Sequence, residues 1–303
     1  MILTVTPNPA LDLTYRVAAL QPGETHRAAP PAVRAGGKGL NVARVLAQTG
    51  VPAFVLTTAG GAPGVRLADD LEASALPAEL IPVGSDTRSS VAIVDESTGE
   101  TTIVNETGGP LTAAEWSALH DAAERLALPA TCVVGSGSLP PEAPETFYAE
   151  LVAIASARGL PSVVDAVGGA LLRAAEAGAS VVKPNRRELA DTTGLDDPVA
   201  GARTLLDAGA GLVLVSLGAE GMLAVPHSGD PVHARLPHPL TGNATGAGDA
   251  AVAAVASLLA AGIADPGALL RRATAWSAAA VLAPLAGELD PTYPELEARL
   301  VTT

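Results

Sequence analysis

The sequence predicts a doubly wound, mostly parallel α/β sheet with helices on both faces and a small β-sheet lid. Three observations carry this expectation. Short, nearly continuous apolar runs read as strands covered on both faces, as in a parallel sheet. Long alanine-rich runs separate them and give the alternating order of a doubly wound layer. Two segments with polar alternation interrupt that order early in the chain and read as a separate, projecting sheet.

In chain order, strands are expected at ILTVT (2–6), AFVLTTA (53–59), TCVVGS (131–136), SVVDAV (162–167), SVVKPN (180–185) and LVLVSL (212–217). Helices are expected over 38–49, 64–75, 112–127, 142–158, 168–177, 198–208, 248–262 and 266–282. Outside this layer stand LDLTYRV (11–17) with ETHRAAPPAVR (24–34), and the hairpin SSVAIVDESTGETTIVNET (89–107). Residues 1–303 are read as one domain, with a lid of about 11–34 and 87–108 inserted in it. A lid there would cover the crevice at the strand ends, where open α/β sheets bind ligands.

An apolar content of 48% excludes a disordered chain. A net charge of -14 repels a phosphate backbone, so no nucleic acid is expected as a partner. Cys132 is the only cysteine, which excludes an internal disulfide and a thiolate metal site. The opening MILTVTPNPALD has no basic start and carries two prolines, unlike a signal peptide. No apolar run reaches the ~20 residues of a membrane span, so no membrane partner is expected, and a cytoplasmic location is.

Lysine is scarce: 16 of the 18 basic residues are Arg, and only Lys38 and Lys183 are Lys. A compact ammonium on a flexible stem differs from a planar guanidinium, and both lysines lie inside Gly or Pro/Asn motifs. Asn243-Ala-Thr-Gly-Ala-Gly-Asp249 runs into an apolar helix, whose first N–H groups form an anion site with Asp249 beside it as a proton acceptor. A plain Asp N-cap after a glycine turn has the same pattern. Gly36-Gly37-Lys38-Gly39-Leu40-Asn41 opens the helix at 38 and permits close approach of a ligand, although a structural turn reads alike. Lys183-Pro-Asn185-Arg-Arg-Glu188 puts an amide and a carboxylate on one face of a first helical turn. That pair suits the water shell of Mg²⁺, and equally a capping box. Ser136-Gly-Ser138 and Ser216-Leu-Gly218-Ala-Glu-Gly221 are further turns at strand ends, and turns of this kind are together expected to line one crevice.

The motifs GGKGLNVAR (36–44), SGSLPP (136–141), KPNRRE (183–188), SLGAEG (216–221) and TGAGDA (245–250) occur in the order of the ribokinase-like (PfkB) carbohydrate kinases, which the chain resembles. NPALD, the Asn-Val-Ala-Arg after GGKGL, and Arg88 before the hairpin are similar to the phosphosugar branch, the 1-phosphofructokinase and tagatose-6-phosphate kinase type. The resemblance implies ATP and Mg²⁺ as cofactors and a ketohexose monophosphate as acceptor, fructose 1-phosphate first. Tagatose 6-phosphate, fructose 6-phosphate and an unphosphorylated sugar or nucleoside are the alternatives. It implies Asp249 as general base, with Gly246, Ala247 and Gly248 as the anion hole. It further implies Lys183, Asn185, Ser216, Gly218 and Gly221 at the ATP site, and Glu188 with Asn185 toward Mg²⁺ through water. Asp12, Gly37 and Asn41 match sugar contacts, and Arg27, Lys38, Arg88 and Ser138 are candidates for the sugar's phosphate. A homodimer through the lid is the implied assembly. Ala278-Ala279-Ala280 stand where the family often has an Asn near the adenine. A dinucleotide oxidoreductase would carry G-x-G-x-x-G after its first strand, where TPNPALD stands. A non-catalytic sugar-binding regulator would be expected to lack the acid at 249.

Overall fold

A computed structural model describes all residues, 1–303. The first strand, β1 (Ile2–Thr6), leads into β2 (Ala10–Val17) and β3 (Ala32–Gly36), which leave the main layer. The chain returns through α1 (Lys38–Gln48), β4 (Ala53–Ala59), α2 (Gly61–Ala73) and β5 (Ala78–Pro82). It leaves again as the hairpin β6 (Arg88–Asp95) and β7 (Thr101–Asn105). Regular βα alternation then follows: α3 (Ala113–Leu126), β8 (Cys132–Ser136), α4 (Phe147–Ser156), β9 (Ser162–Asp165), α5 (Gly168–Glu176) and β10 (Val181–Val182). Next come α6 (Arg186–Thr193), α7 (Pro198–Ala208), β11 (Leu212–Ser216), β12 (Met222–Pro226) and β13 (Val232–Arg235). The chain closes with α8 (Ala247–Ala260), α9 (Pro266–Leu282), α10 (Tyr293–Ala298) and β14 (Val301–Thr302).

The main sheet has ten strands in the order β14-β13-β12-β11-β10-β9-β8-β1-β4-β5. Pairing is parallel from β5 to β11 and antiparallel beyond it. β1 lies between β4 and β8, so the order reverses there and a crevice opens beyond the ends of β1 and β8. The strands bury both faces. Ile2, Val134, Val163 and Leu214 join α1, α8 and α9 in one core, while Leu3, Val133, Val164 and Val215 join α3, α4, α5 and α7 in the other. Alanine explains how α8 fits so deep: Ala250 to Ala256 are all buried, with small side chains that let α1, α9 and the sheet close around the helix.

The second sheet is small, in the order β3-β2-β6-β7, with β2 and β6 parallel and both outer pairs antiparallel. The strand expected over 24–34 contracts to Ala32–Gly36, because Pro22, Pro30 and Pro31 remove ladder donors from the segment before it. The helix expected from 142 begins at Phe147, after Pro140, Pro141 and Pro144. Strands β5 and β12 to β14 and helices α6 and α10 join those expected. They are short, and their patterns mix apolar residues with Pro, Glu or Thr, which hides them from a periodicity reading. No helix is long and apolar enough to cross a membrane.

Candidate active site

A cleft of about 1150 Å³ opens between the ends of the main sheet and the small sheet. Its floor is the start of α8. Gly246 has φ +84°, a left-handed turn that aims the following peptide groups into the cleft. The N–H of Ala247 donates to Ala244 O at 3.2 Å, whereas those of Gly246, Gly248 and Asp249 make no bond within the chain. The open donors are therefore Gly246, Gly248 and Asp249, one residue different from the trio expected from sequence. Gly248 also makes room for a cation, since a Cβ there would lie 3.3 Å from Lys183 Nζ.

Asp249 is the third residue of the helix and does not cap it; the cap is Gly246. Its Oδ2 accepts a hydrogen bond from Asn41 Nδ2 at 2.7 Å. Burial raises its pKa to about 7, against the opposing pull of Lys38. A carboxylate so placed exchanges its proton near neutral pH, which suits a general base.

Beside it stands a residue that no motif announced. Asp165, at the end of β9, is buried and lies between the two lysines of the chain. Lys38 Nζ donates to Asp165 Oδ1 at 3.2 Å, and Lys183 Nζ lies 3.5 Å from Oδ2. Burial pushes the Asp165 carboxyl up, but the two ammonium groups outweigh it and hold it below the ordinary range. Lys38 also lies 3.7 Å from Glu188 Oε1. The remaining Glu188 oxygen accepts Asn185 N–H at 2.9 Å, and Asn185 Oδ1 accepts Glu188 N–H at 2.8 Å. This is a complete capping box at the start of α6, so the amide oxygen of Asn185 is already engaged. In the sequence it is one acid at the end of the apolar run SVVDAV, a signal too weak to single it out.

The opposite wall carries Asp12 and Arg88. Asp12 packs its carboxylate against Gly36 on the neighbouring strand, where a Cβ would collide with it. Burial raises the Asp12 pKa to about 6, with Arg88, Arg34 and Arg44 opposing. Arg88 is held by the carbonyls of Asn8 (Nε, 3.3 Å) and Glu106 (Nη1, 3.1 Å). Asn8 donates from Nδ2 to Ser138 Oγ at 3.3 Å and to Thr107 O at 3.1 Å, which ties the ends of β1 and β8 to the small sheet. Asn8 was not singled out from sequence, although it stands inside NPALD.

Gly37, Lys38, Asn41, Ser138, Lys183, Asn185, Glu188, Ser216, Gly218, Gly221, Gly246, Ala247, Gly248, Asp249, Asp12 and Arg88 all line this one cleft. A backbone bridge between Asn185 and Ser216 sets the last two strand-end motifs side by side. Arg27 does not join them. It is exposed in the segment between β2 and β3, which has no regular structure, and its side chain is not part of the cleft wall of its own chain. Thr274, Ser277 and Ala278 of α9 also line the cleft.

The sequence matches the profile of the pfkB family carbohydrate kinases over residues 6–292. The chain belongs to that family. It is 40% identical over 271 residues to a 1-phosphofructokinase of Xanthomonas campestris, covering 85% of this chain and 83% of that one. It is 36% identical over 262 residues to an ATP-dependent 6-phosphofructokinase isozyme 2 of Mycobacterium tuberculosis, covering 84% and 76%. Among solved structures it is similar to phosphofructokinase-2 from Escherichia coli in complex with fructose-6-phosphate, with a TM-score of 0.88, 30% identity and 98% of each chain covered. The ribokinase-like α/β fold and the phosphofructokinase type of sugar-phosphate kinase follow from these likenesses. The pfkB kinases transfer a phosphoryl group to a carbohydrate, so this chain is an enzyme of that class.

Proposed function

We propose that this kinase transfers the terminal phosphoryl group of ATP to a primary hydroxyl of fructose 1-phosphate, giving fructose 1,6-bisphosphate and ADP. The observation that carries it is a division within one cleft. A buried carboxylate tuned to about 7 stands at a helix N-terminus with open donors, and Arg88 stands beside Asp12 on the opposite wall. The first arrangement suits proton removal next to developing phosphate charge, and the second suits a sugar that already bears a phosphate.

In this reading Asp12 and Asn41 orient the sugar hydroxyls, while Arg88 and Ser138 hold its phosphate. The free hydroxyl oxygen attacks phosphorus and forms the new P–O bond. The P–O bond to ADP breaks, and the hydroxyl proton passes to Asp249. The N–H groups of Gly246, Gly248 and Asp249, with Lys183 above Gly248, receive the charge on the transferring group. Ser216, Gly218 and Gly221 form the nucleotide wall. On the metal side, Glu188 Oε1 is not used by the capping box and would face a hard cation through water. A divalent cation such as Mg²⁺, held on this side, would supply positive charge to the phosphates. The small sheet acts as the lid. Its edge strand β7 leaves Ile103 42% and Val104 59% exposed, which supports pairing of two copies through this sheet. A monomeric mass in solution would remove that assembly.

An ADP-release assay with Mg-ATP against fructose 1-phosphate, fructose 6-phosphate, tagatose 6-phosphate, fructose and ribose tests the reading. Turnover is expected on fructose 1-phosphate at the highest kcat/KM. Preference for another phosphosugar keeps the chemistry and changes the substrate. Turnover confined to unphosphorylated sugars removes the role given to Arg88.

A further inference from the structure

One stretch of the floor is held from the small sheet. Residues 284–288, between α9 and α10, make no backbone–backbone hydrogen bond. Their only hydrogen bonds come from Arg34 of β3, whose Nη1 donates to Ala286 O at 3.1 Å and to Glu288 Oε1 at 3.0 Å. The next fastening is at Leu289, where the Gln48 side chain of α1 bonds both backbone groups, at 2.7 and 2.8 Å. At Ala286 and Gly287 the stretch presses on two parts of the site. A methyl on Gly246 would lie 3.0 Å from Ala286 Cα, and one on Gly287 would lie 3.1 Å from Asn41 Oδ1. Gly246 forms the turn that aims the open N–H groups, and Asn41 donates to Asp249. Arg34 itself stands directly across the strand pair from Asp12. The peptide next to it is anchored: Ala35 N–H donates to Asp70 Oδ2 at 3.0 Å, and Arg44 Nη2 donates to Ala35 O at 3.3 Å. The Arg34 side chain is only 22% exposed, so its bonds work largely out of water, where a charge-assisted bond is strong.

We propose that Arg34 is a positioning residue for phosphoryl transfer: it holds Ala286 against Gly246 and Gly287 against Asn41, so that the open donors and the base keep their alignment. Arg34 does not line the cleft, and acts only through the stretch it holds. With the arginine gone, Ala286 O loses its partner and turns toward water, and residues 284–288 have no other bond to keep them in place. A shift of a few tenths of an ångström at so close a contact moves the N–H groups relative to the charge that develops on the transferring group. The sheet that carries Asp12 thus also braces the catalytic turn. This rests on the role proposed above for Gly246, Gly248 and Asp249, and not on which phosphosugar is the substrate.

The test compares Arg34→Met and Arg34→Lys with the wild type, on whichever sugar of the panel turns over fastest. Arg34→Met is expected to lower kcat about tenfold, with the KM for the sugar and for ATP within about threefold of the wild type. Arg34→Lys still brings a cation to the Ala286 carbonyl and Glu288, and is expected to recover most of the rate. An arginine serving only its neighbour Asp12 would raise the sugar KM alone, and an unchanged kcat overturns the proposal. Calorimetry gives a readout without turnover: the affinity for MgADP with aluminium fluoride, a stand-in for the transferring phosphoryl group, against MgADP alone. The wild type is expected to gain affinity from the fluoride complex. Arg34→Met is expected to lose about tenfold of that gain while binding MgADP normally. A gain kept in full overturns the positioning role alone, whereas no gain in the wild type removes the donor reading and this proposal together. If Arg34→Met also loses affinity for MgADP, it marks a folding defect and Glu288→Gln decides. That variant weakens one of the two bonds and leaves the arginine in place, and its kcat is expected to fall about threefold with both KM values unchanged. No fall overturns the proposal. A wild type silent on every sugar removes only the substrate, and the fluoride readout still decides the role of Arg34.

Discussion

The two walls of the cleft are built by different means. The floor, made of Asp249, Lys183, Asp165 and Glu188, comes from the ends of parallel strands and the first turns of α6 and α8. Those positions are fixed by both hydrophobic cores, and three of the four charged groups there, Asp249, Lys183 and Asp165, are deeply buried, with Lys183 3% and Asp165 1% exposed. The roof, made of Asp12, Arg88 and the carbonyls that hold it, comes from a four-stranded sheet that is half exposed throughout β6 and largely exposed in β7. Rigid burial tunes protonation and suits chemistry. A thin, solvated sheet suits recognition, where arginine and backbone carbonyls read a ligand and local motion admits it. On this division, substitutions in the floor are expected to change kcat, and those in the roof to change the affinity for the sugar phosphate.

The largest expected effect comes from the floor. Asp249→Asn is expected to lower turnover by about 10³-fold while ATP affinity, measured by calorimetry, stays within about twofold. Near-normal turnover would remove the base. Arg88→Ala is expected to raise the KM for the phosphosugar by about 10- to 100-fold and leave the KM for ATP nearly unchanged, because it removes charge-assisted bonds on one side only. Equal loss for both ligands would mark a folding defect and erase the division.

A pH profile sharpens the comparison further. The active form of Asp249 is deprotonated, and burial raises its pKa to about 7. The kcat/KM is therefore expected to fall below pH about 7, and Asp249→Asn to lose that limb along with its rate. The same burial has a stability cost of the opposite pH sense. A carboxyl with a raised folded pKa binds its proton more tightly in the native state, so the wild type loses stability as pH rises from about 4 to about 7. Asp249→Asn is expected to be more stable than the wild type at pH 8, by roughly 1–4 kcal/mol, with the gain vanishing below pH 4. Denaturant unfolding at the two pH values checks it, and a variant less stable at pH 8 would contradict the burial account. The smallest effect is expected at Gly248→Ala, where the new methyl displaces Lys183 by a few tenths of an ångström and lowers kcat several-fold with no change in phosphosugar KM.

How legible each wall was from sequence follows the same division. The strand-end motifs carried the floor because glycine turns, a Pro-Asn cap and a helix start leave fixed spacings, and the fold brought Lys183, Asn185, Ser216 and Gly246 to Asp249 as those spacings implied. Asp165 stayed hidden: it is one acid in SVVDAV, and only the third dimension puts two lysines on it. The roof was harder. Arg88 falls at the start of β6 and reaches the cleft, but Arg27 lies in a proline-interrupted segment with no strand pairing to fix its register. The capping box shows a different limit. Asn185 and Glu188 were read both as a cap and as metal-side groups, and the structure fills the cap with one oxygen of each while leaving Glu188 Oε1 for the second task.

The division is tested most directly by the selectivity of one variant. The kcat/KM for fructose 1-phosphate and for fructose is measured with the wild type and with Arg88→Ala. The account predicts that the preference for fructose 1-phosphate collapses by at least about tenfold in the variant, while the low rate on fructose is retained. An equal fall on both substrates would contradict it, and would mean that Arg88 supports the floor rather than reading the phosphate.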